Sequence, residues 1–565
     1  MNAQYDVIVI GSGAGAMTAA ITAHDRGLDV LVIEKSDKFG GTSALSGGGI
    51  WIPNNPHFKK KKGHDSYELA MTYLQAATQG EVEPERLAAY LEHAPAMIDY
   101  LERHTQVRYA VAKEYPDYYP HLPGFLAGGR TLDPELYDSS KLGPHLADLR
   151  QASPATLLMG KIAWTARDAH VAISRKFGWQ WMILKLMLRY KLDGKWRKQH
   201  KTKRDRRVGL GNSLVASLRA SMADRNIPLY LNTSFVDFVL DEGKVVGIKV
   251  EQNGVVSTLQ AKHGVIAGSG GFEQNQTLRE RYLPAPSNRD WSATPPEQNT
   301  GQVLTAGQSI GAATALLDKA WWAPTIRVPA EDKARGLFAE RAFPGAIVVN
   351  SAGQRFTNEA GPYLEFGEAM YEDHQKGPHQ TIPAWAIFDA TFRFKYAMGP
   401  LMPGQIMPDK RTPSDWRNTV YWKADSLDEL AGQIGVDPKG LSSTVDKVNQ
   451  FAQTGQDEDF ARGGNVFDRY YGDSNVTPNP CIAPLLKPPF YAMQIQAGDI
   501  GTKGGLLTNA SAQVLDQDGQ PIDGLYAIGN CSAAVMGKSY PGAGSTLGPA
   551  MTFGYIAAHH IADQS

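Results

Sequence analysis

The stretch Tyr5-Asp-Val-Ile-Val-Ile-Gly-Ser-Gly-Ala-Gly-Ala-Met-Thr-Ala-Ala20 constrains the fold of this chain more than any other. Four β-branched residues, Val7 to Ile10, predict a strand buried on both faces. Gly11, Gly13 and Gly15 follow, and the alanine-rich run from Ala16 to Ala23 predicts a helix. Gly11 permits a tight turn, and Gly13 lets backbone approach a pyrophosphate. Gly15 and Ala16 let the helix pack closely on the strand, so its first N–H groups are free for phosphate. A second apolar run, Asp29 to Ile33, ends in Glu34 and Lys35. Glu34 stands at the spacing where a carboxylate grips an adenosine ribose. A lone glycine pattern also fits an ordinary strand-turn-helix; context, spacing and acid together point to dinucleotide binding.

A chain of 565 residues is too long for one core, so two or three domains are expected. Apolar content of 42% and a net charge of −1 suit a soluble globular protein and argue against nucleic acid as partner. Two cysteines, Cys481 and Cys531, supply neither a disulfide framework nor a metal cluster, which fits a reducing, cytoplasmic setting. The first residues already read as strand, so no secretory leader is expected. No 18-residue apolar run predicts a membrane span.

Residues 34–56 are rich in glycine and hydroxyl groups, a composition that suits a flexible loop or backbone held against a flat polar ring. With the N-terminal motif, this stretch resembles the flavoprotein family of fumarate reductases and 3-ketosteroid dehydrogenases. The resemblance implies an α/β protein with a Rossmann-like FAD-binding domain and an inserted α+β catalytic cap. The proline-rich shift at Pro284–Pro296 and the loose Asn475–Pro489 region then divide the chain into 1–283, 284–482 and 483–565. Within the cap, 345–363 reads as a hairpin and an ordered loop. By the same resemblance FAD is bound non-covalently, lined by Gly40, Gly41, Thr42, Ser43, Ser46, Gly47 and Gly48. Val236 lies beside the adenine, and Ala267, Gly529, Asn530 and Leu547 complete the cofactor site. The last helix, with Pro549 at its first position, turns its positive end toward the flavin.

The loop Met536-Gly-Lys-Ser-Tyr-Pro-Gly-Ala-Gly-Ser-Thr-Leu547 could be only a tight turn. In 3-ketosteroid Δ1-dehydrogenases the matching Tyr-Pro-Gly-x-Gly binds the steroid C3 carbonyl, which implies Tyr540 hydroxyl and Gly544 N–H as two donors. Two donors on one carbonyl stabilise an enolate and acidify the neighbouring carbon. The resemblance implies a cap-domain tyrosine as base, Tyr363, with Tyr371 in the same region as the alternative. It implies a second tyrosine that stabilises the phenolate, mapped to Tyr119 with Tyr118 close behind. The expected reaction removes a proton and a hydride to leave a C1=C2 double bond. A Δ4-(5α)-ketosteroid dehydrogenase shares the ketone chemistry; a fumarate reductase would need clustered arginine and histidine; a flavin-binding membrane scaffold is the non-enzymatic alternative.

The resemblance does not cover about 140–207, which reads as a membrane-facing insertion in the first domain, and within it residues 155–207 are the most unusual stretch. Phe177, Trp179, Trp181 and Leu184 to Leu188 crowd around Lys185, and a strongly basic run follows to Arg207. Aromatic and basic residues together suit a helix lying on an anionic membrane surface. A core helix with a basic solvent face fits equally. The expected partners are therefore a 3-ketosteroid or sterol-derived enone, a quinone-like electron acceptor and, through about 175–207, the inner face of a membrane.

Overall fold

The computed structural model describes residues 4–565. Strand Gln4–Ile10 lies at the centre of a parallel sheet, between Val30–Ile33 and Val255–Ala267. Val7, Ile8 and Val9 are fully buried, which is why the strand shows no polar alternation. Leu229–Tyr230 extends the sheet beyond Val30–Ile33, and Pro521–Ala527 extends it beyond Val255–Ala267. One sheet is thus assembled from three distant parts of the chain. A hairpin, Thr233–Asp241 against Lys244–Gln252, leads into Val255–Ala267.

Helix Ala14–Asp25 packs along the last helix, Leu547–Gln564, at glycine contacts. A Cβ at Gly15 would stand 2.6 Å from the carbonyl oxygen of Ala550, and one at Gly554 would stand 2.6 Å from that of Gly15. The glycine that reads as a phosphate motif therefore also sets a helix crossing. The last helix begins at Leu547, two residues ahead of the expected Pro549. Proline is tolerated there because the first-turn N–H groups have no intrahelical partner.

The second sheet is antiparallel. Its central strand, Phe490–Thr502, pairs with Ala320–Ile326, Ala384–Phe388 and Tyr421–Ala424. This pairing corrects the boundary expected at 482/483, since the chain is still in the cap at Thr502 and rejoins the first sheet at Gln513–Leu515. The loose Pro/Gly region is a cap loop leading into its longest strand. The stretch 345–363 also differs from expectation. It holds one strand, Ala346–Val349, whose partner is Ala384–Phe388 across a long connection.

Helices Ala166–Ile173, Trp179–Leu192 and Gly194–Gln199 occupy the stretch expected to be an insertion. Trp179–Leu192 does not serve as a core helix, because Leu186 is its one buried residue. Among the described residues, no helix is long and apolar enough to cross a membrane, and no side-chain group is arranged to hold a metal ion. Both cysteines are buried and unpaired.

Tyr67–Thr78 and Pro84–His104 support the loop between residues 114 and 129, and Ser66 caps the first by accepting from Leu69 N–H at 3.2 Å. Arg130 anchors that loop. Its guanidinium bridges Asp65 at 2.8 Å and Asp117 at 2.7 Å, with all three side chains buried. Burial raises the Asp117 carboxyl to about 6 against the pull of Arg130. Arg130→Met should strand two buried carboxylates and cost about 3–5 kcal/mol. Urea denaturation should show this as a lower midpoint, and an unchanged midpoint would show the loop to be held by other contacts.

Candidate active site

Three adjacent parallel strands end together at Ile10, Ala267 and Ala527, and the residues after them face the crevice where ligands bind in open α/β sheets. Gly11 has φ +98° there, and a Cβ would lie 2.5 Å from the oxygen of Gly268, so the turn admits only glycine. Gly13, Gly41 and Gly47 differ. A Cβ at Gly47 would meet nothing within 4 Å, and one at Gly41 or Gly13 would touch only a neighbouring loop atom. These glycines leave bare backbone facing open space, as a bound nucleotide requires, and Gly13 caps Ala14–Asp25 without a side-chain bond.

Glu34 is buried, and its carboxylate accepts from Ser12 N–H, the Ser12 hydroxyl and Ser36 N–H. Of about four lone-pair positions, one remains for a ribose hydroxyl. Lys35 Nζ reaches the Thr300 hydroxyl at 3.2 Å, and burial lowers its pKa. The Thr42 hydroxyl accepts from Asn299 at 2.9 Å, Ser43 caps Ala14 N–H at 3.1 Å, and Ser46 accepts from Gly48 N–H at 3.0 Å. Val236 stands exposed on the strand that starts beside Glu34. Gly529 has φ +63°, and Asn530 Oδ1 accepts from Trp321 Nε1 at 3.1 Å. Leu547 opens a helix whose N-cap makes no side-chain bond. The donor set, open backbone and helix ends fit a dinucleotide with a flat ring system, as FAD requires.

Across the crevice the cap and the first domain bring tyrosines together. The Tyr118 ring stacks on Tyr540 at 5.3 Å and meets the Tyr363 edge at 5.8 Å, while Tyr363 meets Tyr540 at 5.1 Å. Trp321, Phe338 and Phe467 close the walls around them. Burial raises the Tyr540 hydroxyl above its ordinary pKa, while hydrogen bonds with Tyr363, Thr546 and Gly544 N–H pull it down. Burial drives Tyr363 well above 10, opposed by a hydrogen bond from Tyr118.

Two glycines make this turn possible. Gly544 has φ +99°, and a Cβ would stand 2.4 Å from Ile50 Cα; at Gly542 it would stand 2.4 Å from the Trp51 ring. The 114–129 loop is then joined to the turn by Tyr118 N–H donating to the Pro541 carbonyl at 2.9 Å.

The two adjacent tyrosines point to opposite sides of the loop. Tyr118 faces Tyr363 and Tyr540. The Tyr119 hydroxyl is turned away, donating to Glu365 and accepting Tyr540 N–H at 2.7 Å. Tyr371 is not in the cluster, since it packs on Trp322 and its hydroxyl lies 3.3 Å from the carbonyls of Pro286 and Ala497. Sequence reasoning missed Trp321, Phe338, Phe467, Asn299 and Glu365, which carry no local motif. A separate cavity of about 490 Å³, lined by Trp196, Arg204 and Asn212 among others, lies between the insertion and the first domain.

A family described as an FAD binding domain matches residues 6–547. A 3-oxosteroid 1-dehydrogenase of Mycobacterium tuberculosis is 41% identical over 100% of this chain and 99% of its own length. One of Comamonas testosteroni is also 41% identical, over 98% and 96%. The crystal structure of 3-ketosteroid Δ1-dehydrogenase from Sterolibacterium denitrificans with 1,4-androstadiene-3,17-dione is 56% identical, covers both chains completely and has a TM-score of 0.97. The family match over residues 6–547 and these identities over whole chains place this protein in the 3-oxosteroid 1-dehydrogenase family of FAD-dependent oxidoreductases acting on CH–CH bonds.

Proposed function

We propose that this chain carries out 1,2-dehydrogenation of a 3-ketosteroid with Tyr540, Gly544, Tyr363 and Tyr118 in distinct roles. The convergence of three tyrosine rings on the Gly544 turn carries this reading. The Tyr540 hydroxyl and Gly544 N–H receive the C3 oxygen and stabilise the charge that develops on it, each by about 3–4 kcal/mol. Tyr363, as phenolate, takes the proton from C2. Tyr118 holds that phenolate by donating its hydroxyl proton, and Tyr119 acts behind it on the Tyr540 backbone. Trp321, Phe338 and Phe467 keep water from the reacting carbons and offer apolar walls to a steroid ring. When bound, FAD supplies the hydride acceptor for C1. A fumarate reductase is disfavoured, since tyrosines and glycines occupy the loops where arginine and histidine would be needed.

Tyr540→Phe should cut kcat about a hundredfold or more while FAD stays bound. Unchanged turnover on androst-4-ene-3,17-dione, followed by appearance of the 1,4-diene, rejects the carbonyl-binding role. Gly544→Ala should be as damaging, because it adds backbone strain of about 1–3 kcal/mol and displaces the amide donor.

The pH dependence follows from Tyr363. Its pKa is raised, and its active form is the phenolate, so activity is lost as pH falls. The acidic limb of kcat/KM should climb by up to about tenfold per pH unit through neutrality. Tyr118→Phe removes the hydrogen bond that lowers the Tyr363 pKa and should shift the limb to higher pH. A limb that stays in place assigns the phenolate no help from Tyr118.

The insertion supports attachment to an anionic membrane surface. Trp181 and Leu192 are 75 and 85% exposed and form a stripe at helical spacing with Leu184 and Leu188, and Phe177, 106% exposed, stands just ahead of the helix. Lys185, Lys191, Lys195 and Lys198 stand exposed around it. Apolar edge and basic flanks match the two requirements for interfacial binding. That surface is also where an apolar ketone and a quinone-like acceptor would be met. Phe177→Ser with Trp181→Ser and Leu188→Ser should abolish co-sedimentation with anionic vesicles and leave activity on dissolved steroid intact. Undiminished sedimentation would sink the membrane reading.

A further inference from the structure

Two buried ionisable side chains lie against the turn that carries Tyr540 and have no part in the proton transfer above. Lys503 is 1% exposed, and its Nζ donates to the carbonyls of Gly537 at 3.0 Å and Ser539 at 2.7 Å. The same nitrogen sits 4.2 Å from the centre of the Trp321 ring, which meets Tyr540 edge-on at 5.1 Å. Glu365 lies two residues into the helix that begins at Tyr363. It accepts the Tyr119 hydroxyl, and that hydroxyl accepts Tyr540 N–H. Its other oxygen is buried with no partner.

Burying an ammonium and a carboxyl is unfavourable unless each is well bonded. Here their bonds go to one short turn. The ammonium takes the carbonyls of residues 537 and 539, and the carboxyl takes the amide of residue 540 through one phenol. Glu368 and Glu365 sustain the Lys503 charge at longer range, against burial and Lys319. After Tyr540 the turn is held by Tyr118 N–H and the Tyr73 hydroxyl on the Pro541 carbonyl and by the Thr131 hydroxyl on the Ala543 carbonyl; on residues 537 to 540 the bonds come from Lys503 and, through Tyr119, from Glu365.

We propose that Lys503 and Glu365 are positioning residues for the carbonyl-binding hydroxyl of Tyr540. The ammonium clamps the peptide groups before Tyr540 from the cap's long strand. The carboxyl clamps its N–H, through Tyr119, from the helix that also presents Tyr363. The two clamps set the distance between the group that binds the ketone and the group that takes its α-proton. A misplacement of about 1 Å between such groups costs about a hundredfold in rate. The inference rests on Tyr540 receiving the C3 oxygen.

The test uses FAD-loaded Lys503→Met and Glu365→Leu, which removes the acceptor for the Tyr119 hydroxyl, with Tyr540→Phe as reference. Binding of 1,4-androstadiene-3,17-dione and of its 3-deoxy analogue is read from the perturbed flavin spectrum, and kcat and KM are measured separately. Each variant should lose about tenfold of the preference for the 3-oxo ligand. Binding of the 3-deoxy analogue should stay unchanged, and kcat should fall far more than KM rises. A general packing defect would weaken both ligands alike and overturn the proposal, as would an intact preference in both variants. If Tyr540→Phe also keeps the preference, the carbonyl-site reading itself is at fault; if only Tyr540→Phe loses it, the positioning role alone fails. Should Lys503→Met not load FAD, Glu365→Leu, which leaves the strand untouched, decides between these outcomes.

Discussion

Tyr540 N–H reaches the Tyr119 hydroxyl at 2.7 Å across 421 residues of sequence, and the site exists because that gap is closed. Beside it, Tyr118 N–H meets the Pro541 carbonyl. These bonds hold one late turn of the chain against one early loop. They place Tyr540 next to Tyr118 and, beyond it, Tyr363. Neither segment is regular structure, so each needs anchoring from outside. Arg130 does this for the loop, and the Ile50–Trp51 strand does it for the turn.

The division of labour between the two domains follows from their sheets. The parallel sheet ends three strands at one crevice, which suits a long, polar, phosphate-bearing ligand. The antiparallel sheet supplies a rigid wall, and Trp321 and Thr502 from its paired strands reach back toward the first domain. An apolar substrate caught between them sees aromatic faces from the cap and hydrogen-bond donors from the first domain. Both are needed to make a carbon acid out of a ketone.

The features most legible in sequence are those that a single local rule decides. Val7 to Ile10 had to be a doubly buried strand, and Gly11 had to be glycine at φ +98°. Tyr540 and Gly544 stand out only through the family resemblance of their Tyr-Pro-Gly-Ala-Gly turn, and the contacts with Trp51 and Ile50 that require its glycines are visible only in the structure. The choice between Tyr118 and Tyr119 is not legible, because two neighbours in an irregular loop point to opposite sides and only the docked partner decides which. The domain boundary is obscured because a proline-rich loop looks the same whether it leaves a domain or feeds its central strand. Lys503 and Glu365 give no signal, being single charges in ordinary elements whose meaning lies entirely in what they touch.

The packing of the last helix against the first has a consequence for how the protein is made. Leu547–Gln564, 18 residues, is the wall against which Gly15 and its helix close. Until the ribosome has translated that helix, the nucleotide cradle is complete in sequence but open on one side. The chain must hold its earliest hydrophobic strand in waiting until those codons are read. Closure of the cradle therefore waits on residues 547–564, and a nascent chain released before that helix is made lacks the wall on which Gly15 packs.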